Sequence, residues 1–221
     1  MDISALTLSL KLAFWTCVIL IPLSIAIARP LAWSRARYKG LIEALIALPL
    51  VLPPTVLGFY LLIFFGDETY LGQAFKAVFG HGLVFTFEGL LFASLIFNLP
   101  FAVQPIQRAF EAIPMNLREA AWCSGMSNGK TFRRIELPLA LPGVISALTL
   151  TFAHTMGEFG VVLMVGGNIP DETRTIAIAI YDRVQAFDNM AAGVMALILL
   201  SISFLTLGVV YMAMPRWNAR S

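Results

Sequence analysis

The stretch REAAWCSGMSNGKTFRRIELPLALPG, residues 118–143, opens with a basic, glycine-bearing loop and ends in a long hydrophobic run. Counting from Arg108, the region carries Arg118, Lys130, Arg133 and Arg134, while the residues on either side are almost uniformly apolar. Charge and irregular backbone are costly in hydrocarbon, so a segment of this kind marks a place where the chain leaves a bilayer between two helices.

Working outward, 59% of the 221 residues are hydrophobic and only 13% are charged. That balance lies outside the range of water-soluble domains. A spanning helix needs about 20 mostly apolar residues, and five runs qualify, at about 6–28, 41–65, 86–106, 139–165 and 190–213. The chain therefore reads as a single all-α membrane domain with five transmembrane helices and a loop at 107–138. The first run is too long for a signal-peptide core and lacks a basic leader, so it is expected to be retained as a span.

Lys and Arg set the orientation, because cytoplasmic loops hold the excess. Arg29, Arg35, Arg37 and Lys39 fall in the first loop, five cations in the third, and Arg216 and Arg220 in the tail. Only Lys76, Arg174 and Arg183 occupy the second and fourth loops. This pattern puts the N-terminus outside, the C-terminus inside and loop 107–138 in the cytoplasm. The formal net charge is only +2 and gives no argument for nucleic acid. Cys17 and Cys123 have neither metal-ligand nor redox spacing, so no disulfide is expected.

Two runs carry helix breakers. ALPLVLPPTVLGFY (47–60) holds Pro49, Pro53 and Pro54, and FNLPFAVQP (97–105) holds Asn98, Pro100 and Pro105. Each proline removes a donor and crowds the preceding turn. Pro49, Pro53, Pro54 and Pro100 are candidate hinges; the alternative is that neighbouring helices simply satisfy the freed carbonyls.

Inside the loop, Asn116 is placed to cap a helix with Glu119 three residues on, as in a capping box, and Gly125 suits the C-terminal cap. Leu117, Ala120, Ala121 and Ser124 would then share one face. Ser127 or Asn128 can start a second short helix, which Pro138 is expected to stop. The pattern predicts a compact knob, and composition alone allows it to be no more than a surface helical hairpin.

The spacing Glu119-Ala120-Ala121, three residues, Gly125, nine residues, Ile135, one residue, Leu137-Pro138 matches E-A-A-x3-G-x9-I-x-L-P at every fixed position. It resembles the EAA loop of binding-protein-dependent ABC importers and implies the type I ABC-importer permease fold over essentially the whole chain. The resemblance further implies a bacterial inner or plasma membrane location and a homodimer with two ABC ATPase subunits. ATP and Mg would be bound on the ATPase, and cargo would arrive on an extracytoplasmic oxyanion-binding protein. By similarity, Glu119, Ala120, Ala121 and Gly125 would seat a coupling helix on the ATPase, and Ile135, Leu137 and Pro138 would tie it to the next span.

LPLVLPPTVLGFYLL (48–62) and GEFGVVLMVGGNIPDETRTIAIAIY (157–181) resemble the molybdate-type members, with Asp171 where many of them have Gly. Sulfate- or tungstate-type importers of the same family are the alternative cargo readings. His154 and Glu158, spaced i, i+4, can face a common interior surface, and ionisable groups within a membrane point to function. With Asn98 they are candidate pathway or gate residues. Beyond them, Ala177, Ile180, Tyr181, Val184 and Phe187 form an apolar stripe on an external helix, with Asp182, Arg183 and Asp188 on the wet side. That helix can cap the pore mouth, receive the binding protein or pack on the bundle.

Apart from Lys11 the spans hold no Lys or Arg, which suits a conduit rather than a tight anion site. The sequence has no G-x-x-x-x-G-K-[ST] motif, so the energy would have to come from a partner. A secondary transporter acting without ATP is the competing transporter class, although five spans give no even halves. No nucleophile, metal set or paired acids argue for an intramembrane enzyme, and the expected list of catalytic, metal and resident cofactor sites is empty.

Overall fold

The computed structural model describes residues 2–218, the side chains of 209–211 and 213–218 excepted. Arg220 and the side chain of Arg216, assigned above to the basic tail, lie outside the described residues. The elements are α1 (Ile3–Trp33), α2 (Lys39–Val51), α3 (Pro54–Phe65), α4 (Tyr70–Phe79), α5 (Phe87–Glu111), α6 (Met115–Cys123), α7 (Asn128–Thr131), a π-helical turn (Phe132–Glu136), α8 (Leu137–Gly157), α9 (Gly160–Gly166), α10 (Ile176–Gln185) and α11 (Asn189–Asn218). No strand occurs among the described residues.

Four helical stretches are long and apolar enough to cross a membrane: Ile3–Trp33, Phe87–Glu111, Asn128–Gly157 and Asn189–Gly208. A fifth crossing requires α2 and α3 together, and these are bent by 108°. The break lies inside the span expected over 41–65, among the prolines named above as candidate hinges. Leu52 and Pro53 are both extended, at ψ 135 and 134, and Pro54 begins the new helix. A residue preceding proline is pushed out of the helical region, so the pair Pro53-Pro54 does this twice in succession. Pro49 and Pro100, by contrast, lie inside continuous helices.

The fourth crossing ends earlier than expected, because α8 stops at Gly157 and Glu158 turns extended at ψ 131 before α9 begins. At its other end α8 is joined through the π turn to α7, so Pro138 does not stop a helix. The Leu137 N–H bonds back to the Phe132 carbonyl, five residues away. This widened turn accommodates the proline that an ordinary α-turn would resist.

The centre of the bundle is α5, which packs on both α1 and α8. Ala28, Val103, Ile106, Phe110, Ala140 and Ala147 form the shared core. A β-carbon added at Gly143 would collide with Ala109 and lie 2.7 Å from the Pro105 carbonyl oxygen, so the glycine sets how closely α8 approaches α5. The α3–α9 crossing is similar, with Gly160 under Pro54. A second end of the bundle is built by α10, whose first N–H, on Ile176, donates to the Ser9 hydroxyl of α1 at 2.8 Å.

Candidate functional site

The knob predicted around Gly125 is formed by α6, a glycine turn and α7. Gly125 has φ +76, a conformation that side chains resist. Its N–H bonds to the Trp122 carbonyl at 2.9 Å, and the N–H of Met126 bonds to that of Ala121 at 3.0 Å. These two bonds make a Schellman cap, which closes α6 without using a charged group. At the other end the expected capping box is absent. Pro114 occupies the cap position with ψ 134, so Asn116 falls inside the first turn and makes no capping bond. Ser127 does cap the next helix, accepting from the Lys130 N–H at 3.4 Å.

The α6 face is divided differently from the expectation. Leu117, Glu119, Ala120 and Ser124 are exposed, whereas Ala121 is buried and turns inward beside Arg118. Ile135 and Leu137 are half-buried and Pro138 is exposed. Ala120 and Ser124 are the small residues of this exposed surface, with Leu117 and Glu119 beside them.

Sequence reasoning missed what holds the knob. Glu136, in the variable position between Ile135 and Leu137, has 0% exposure and binds two arginines. Its Oε1 accepts from Arg118 Nε of α6 at 2.9 Å, and its Oε2 accepts from Arg29 Nε of α1 at 2.7 Å. The Arg118 guanidinium lies 3.6 Å over the Trp33 ring and 4.9 Å from that of Trp122, and Arg29 lies 5.1 Å from the Phe132 ring. Removing one partner of a buried pair typically costs about 3–5 kcal/mol, because the other charge is left uncompensated. The available signal was a lone acid opening an apolar run, which demands a cationic partner.

A second polar array lies in the middle of the bundle. Thr16 of α1 donates to the Ser94 hydroxyl of α5 at 2.9 Å, and the Asn98 amide donates to the Ser94 carbonyl at 2.8 Å. The Asn98 oxygen is 3.0 Å from His154 Nδ1 of α8. The imidazole is stacked on Phe97 and Phe101, at centroid distances of 4.6 and 3.9 Å. Asn98 and His154 are therefore brought together. Glu158 is engaged elsewhere: its carboxylate accepts from the Val161 N–H at 2.9 Å and caps α9 across the break. The expectation that His154 and Glu158 work from one surface is replaced by two separate sets of partners.

On α10 most of the apolar stripe is turned outward. The buried residues are Ile176, Ile178 and Ala179, packed against α1, α8 and α11. Tyr181 and Val184 are exposed, Ile180 and Ala177 are intermediate, and Phe187 lies past the helix end with 89% exposure. Asp182, expected on the wet side, is half-buried and accepts from the Asn168 amide at 2.9 and 3.1 Å. The Ser9–Ile176 bond ties the first residue of the helix to α1.

Known proteins similar to this chain include a family, two relatives and a solved structure. The family described as binding-protein-dependent transport system inner membrane component matches residues 20–219. A molybdenum transport system permease protein of Azotobacter vinelandii is 49% identical over 210 residues, covering 95% of this chain and 93% of the relative. A probable sulfate transport system permease protein of Chlorella vulgaris is 31% identical over 209 residues, covering 93% and 77%. Among solved structures, a chain of a bacterial alginate ABC transporter, in complex with a pentasaccharide-bound periplasmic protein, aligns with TM-score 0.75 at 15% identity, over 94% of this chain and 76% of that one.

Proposed function

This chain belongs to the family of binding-protein-dependent transport system inner membrane components, and from that membership we propose that it is the transmembrane subunit of an ATP-driven oxyanion importer whose cargo is molybdate. The observation that carries the cargo is the near full-length likeness, at about half the residues, to a molybdenum transport permease. The sulfate-type relative is more distant. The chain is a multi-pass protein of the inner membrane.

In this reading two copies form the pathway and each meets one ATPase subunit, on which ATP and Mg are bound. The basic loops, and with them 107–138, face the cytoplasm, and the N-terminus faces outward. The exposed row Leu117, Glu119, Ala120 and Ser124, closed by the Gly125 turn, docks on the ATPase. Ile135, Leu137 and Pro138 carry the motion into α8. An external binding protein delivers the oxyanion to the opposite face, near α10. Closure of the ATPases on nucleotide then favours one arrangement of the helices over another.

Asn98 and His154 line the route across the bundle, with Pro53 and Pro54 as the hinge. No fixed cation is needed in mid-membrane, since hydroxyls, amides and backbone dipoles bind an oxyanion weakly enough to let it leave.

The test is uptake into proteoliposomes holding this chain, its ATPase and the cognate binding protein, offered molybdate, tungstate or sulfate. ATP-dependent accumulation of molybdate ahead of sulfate is expected. Sulfate ahead of molybdate would reassign the cargo, and uptake in the absence of the ATPase would place the chain among secondary transporters.

A further inference from the structure

Three helical segments meet at one carboxylate. Arg118 comes from α6, Arg29 from the end of α1, and Glu136 from the π turn that leads into α8; each Glu136 oxygen takes one guanidinium. Glu136 is fully buried and Arg118 nearly so, Arg29 keeps 31% of its side chain exposed, and the Arg118 guanidinium lies 3.6 Å over the Trp33 ring. An apolar trio of similar volume would fill the same space with no desolvation cost. What an ionic fork adds is direction, since guanidinium and carboxylate lock relative orientation as well as distance.

The position of the fork matters. A π turn widens the helix ladder, so Phe132–Glu136 is a place where the α7–α8 rod can bend. A displacement entering through α6 would be lost as a bend there unless the turn were braced on both sides. Glu136 is the last residue of the turn and is tied to both α6 and α1.

We propose that Arg118–Glu136–Arg29 is the joint that carries a displacement of α6 into α1 and α8 together, with Glu136 as a positioning residue that touches neither cargo nor nucleotide. The proposal rests on the reading of α6 as the ATPase-docking helix.

The decisive variant is the triple replacement Arg29→Met, Arg118→Met, Glu136→Met, which removes all three charges at once and strands none. In proteoliposomes with the ATPase and loaded binding protein, it is expected to co-purify with the ATPase and keep basal ATP hydrolysis. The stimulation of hydrolysis by loaded binding protein, and the uptake per ATP, are expected to fall at least tenfold. Glu136→Gln alone is expected to lose the same stimulation and, in addition, to lower the yield of folded complex. Wild-type stimulation in the triple variant would overturn the joint. Failure of the triple variant to capture the ATPase would overturn it too, since the cluster would then shape the docking loop rather than transmit its motion. Failure of the unmodified chain to capture any ATPase would instead sink the docking reading, and the joint with it.

Discussion

His154 Nδ1 lies 3.0 Å from the Asn98 side-chain oxygen, and the chemistry of the neighbours decides which of the two donates. The Ser94 carbonyl can only accept, so the Asn98 amide nitrogen must face it, leaving the oxygen for the imidazole. Nδ1 therefore carries the proton, and Nε2 is the free nitrogen. Nitrogen NMR of the labelled protein at neutral pH should show a protonated Nδ1; an imidazole protonated only on Nε2 would contradict this network.

Replacing His154 by Phe keeps the stacking on Phe97 and Phe101 but leaves the Asn98 oxygen without a donor. An unsatisfied buried acceptor costs about 1–3 kcal/mol. Thermal unfolding in detergent should register a loss of that order, and uptake should fall while ATPase capture is kept. Unchanged uptake would remove His154 from the pathway.

Gly125 supports a different prediction, because its φ of +76 is strained for any residue with a β-carbon. A β-branched residue costs at least about 1–2 kcal/mol there. Open space surrounds the position, so the penalty is local to the turn. Gly125→Val should insert normally and lose uptake coupled to ATP, as should Glu119→Lys on the exposed face. Loss of membrane insertion would mean that the knob is needed for folding.

Asp171 has φ +66, the same left-handed region. Asp tolerates that region better than most residues and glycine better still. Asp171→Gly should leave unfolding and uptake within error of the parent, whereas Asp171→Val should lower the unfolding temperature. A stabilising Val would refute the backbone argument.

At Gly143 the crossing of α8 and α5 leaves no room for a side chain. Forcing extra carbons into a packed contact costs about 1–3 kcal/mol. Gly143→Leu should therefore lower the unfolding temperature in detergent, and an unchanged temperature would show that the two helices can separate freely.

The features legible in the sequence were the local ones. Runs of apolar residues located α1, α5 and α11, and Gly125 marked its turn, because hydropathy and left-handed glycine act within a few residues. The capping box failed at Asn116 because Pro114 sets the helix start two residues earlier. The stop expected at Pro138 failed because a π turn, which no spacing rule announces, precedes it. Which of the three roles open to the α10 stripe applies depends on how that helix packs on α1, α8 and α11, and no local spacing gives this. Glu136 signals that a cation is needed but not which one, since its partners Arg118 and Arg29, 18 and 107 residues away, are brought to it by the fold.

The most direct test of the central claim is cross-linking from α6 in the assembled transporter. A cysteine placed at the exposed Ala120, with Cys123 replaced by Ser, should form a disulfide-length cross-link to the ATPase and resist impermeant thiol reagents added from outside. Labelling of that cysteine from outside, with cross-links to the ATPase arising only from a cysteine at Phe187 beyond α10, would contradict the account.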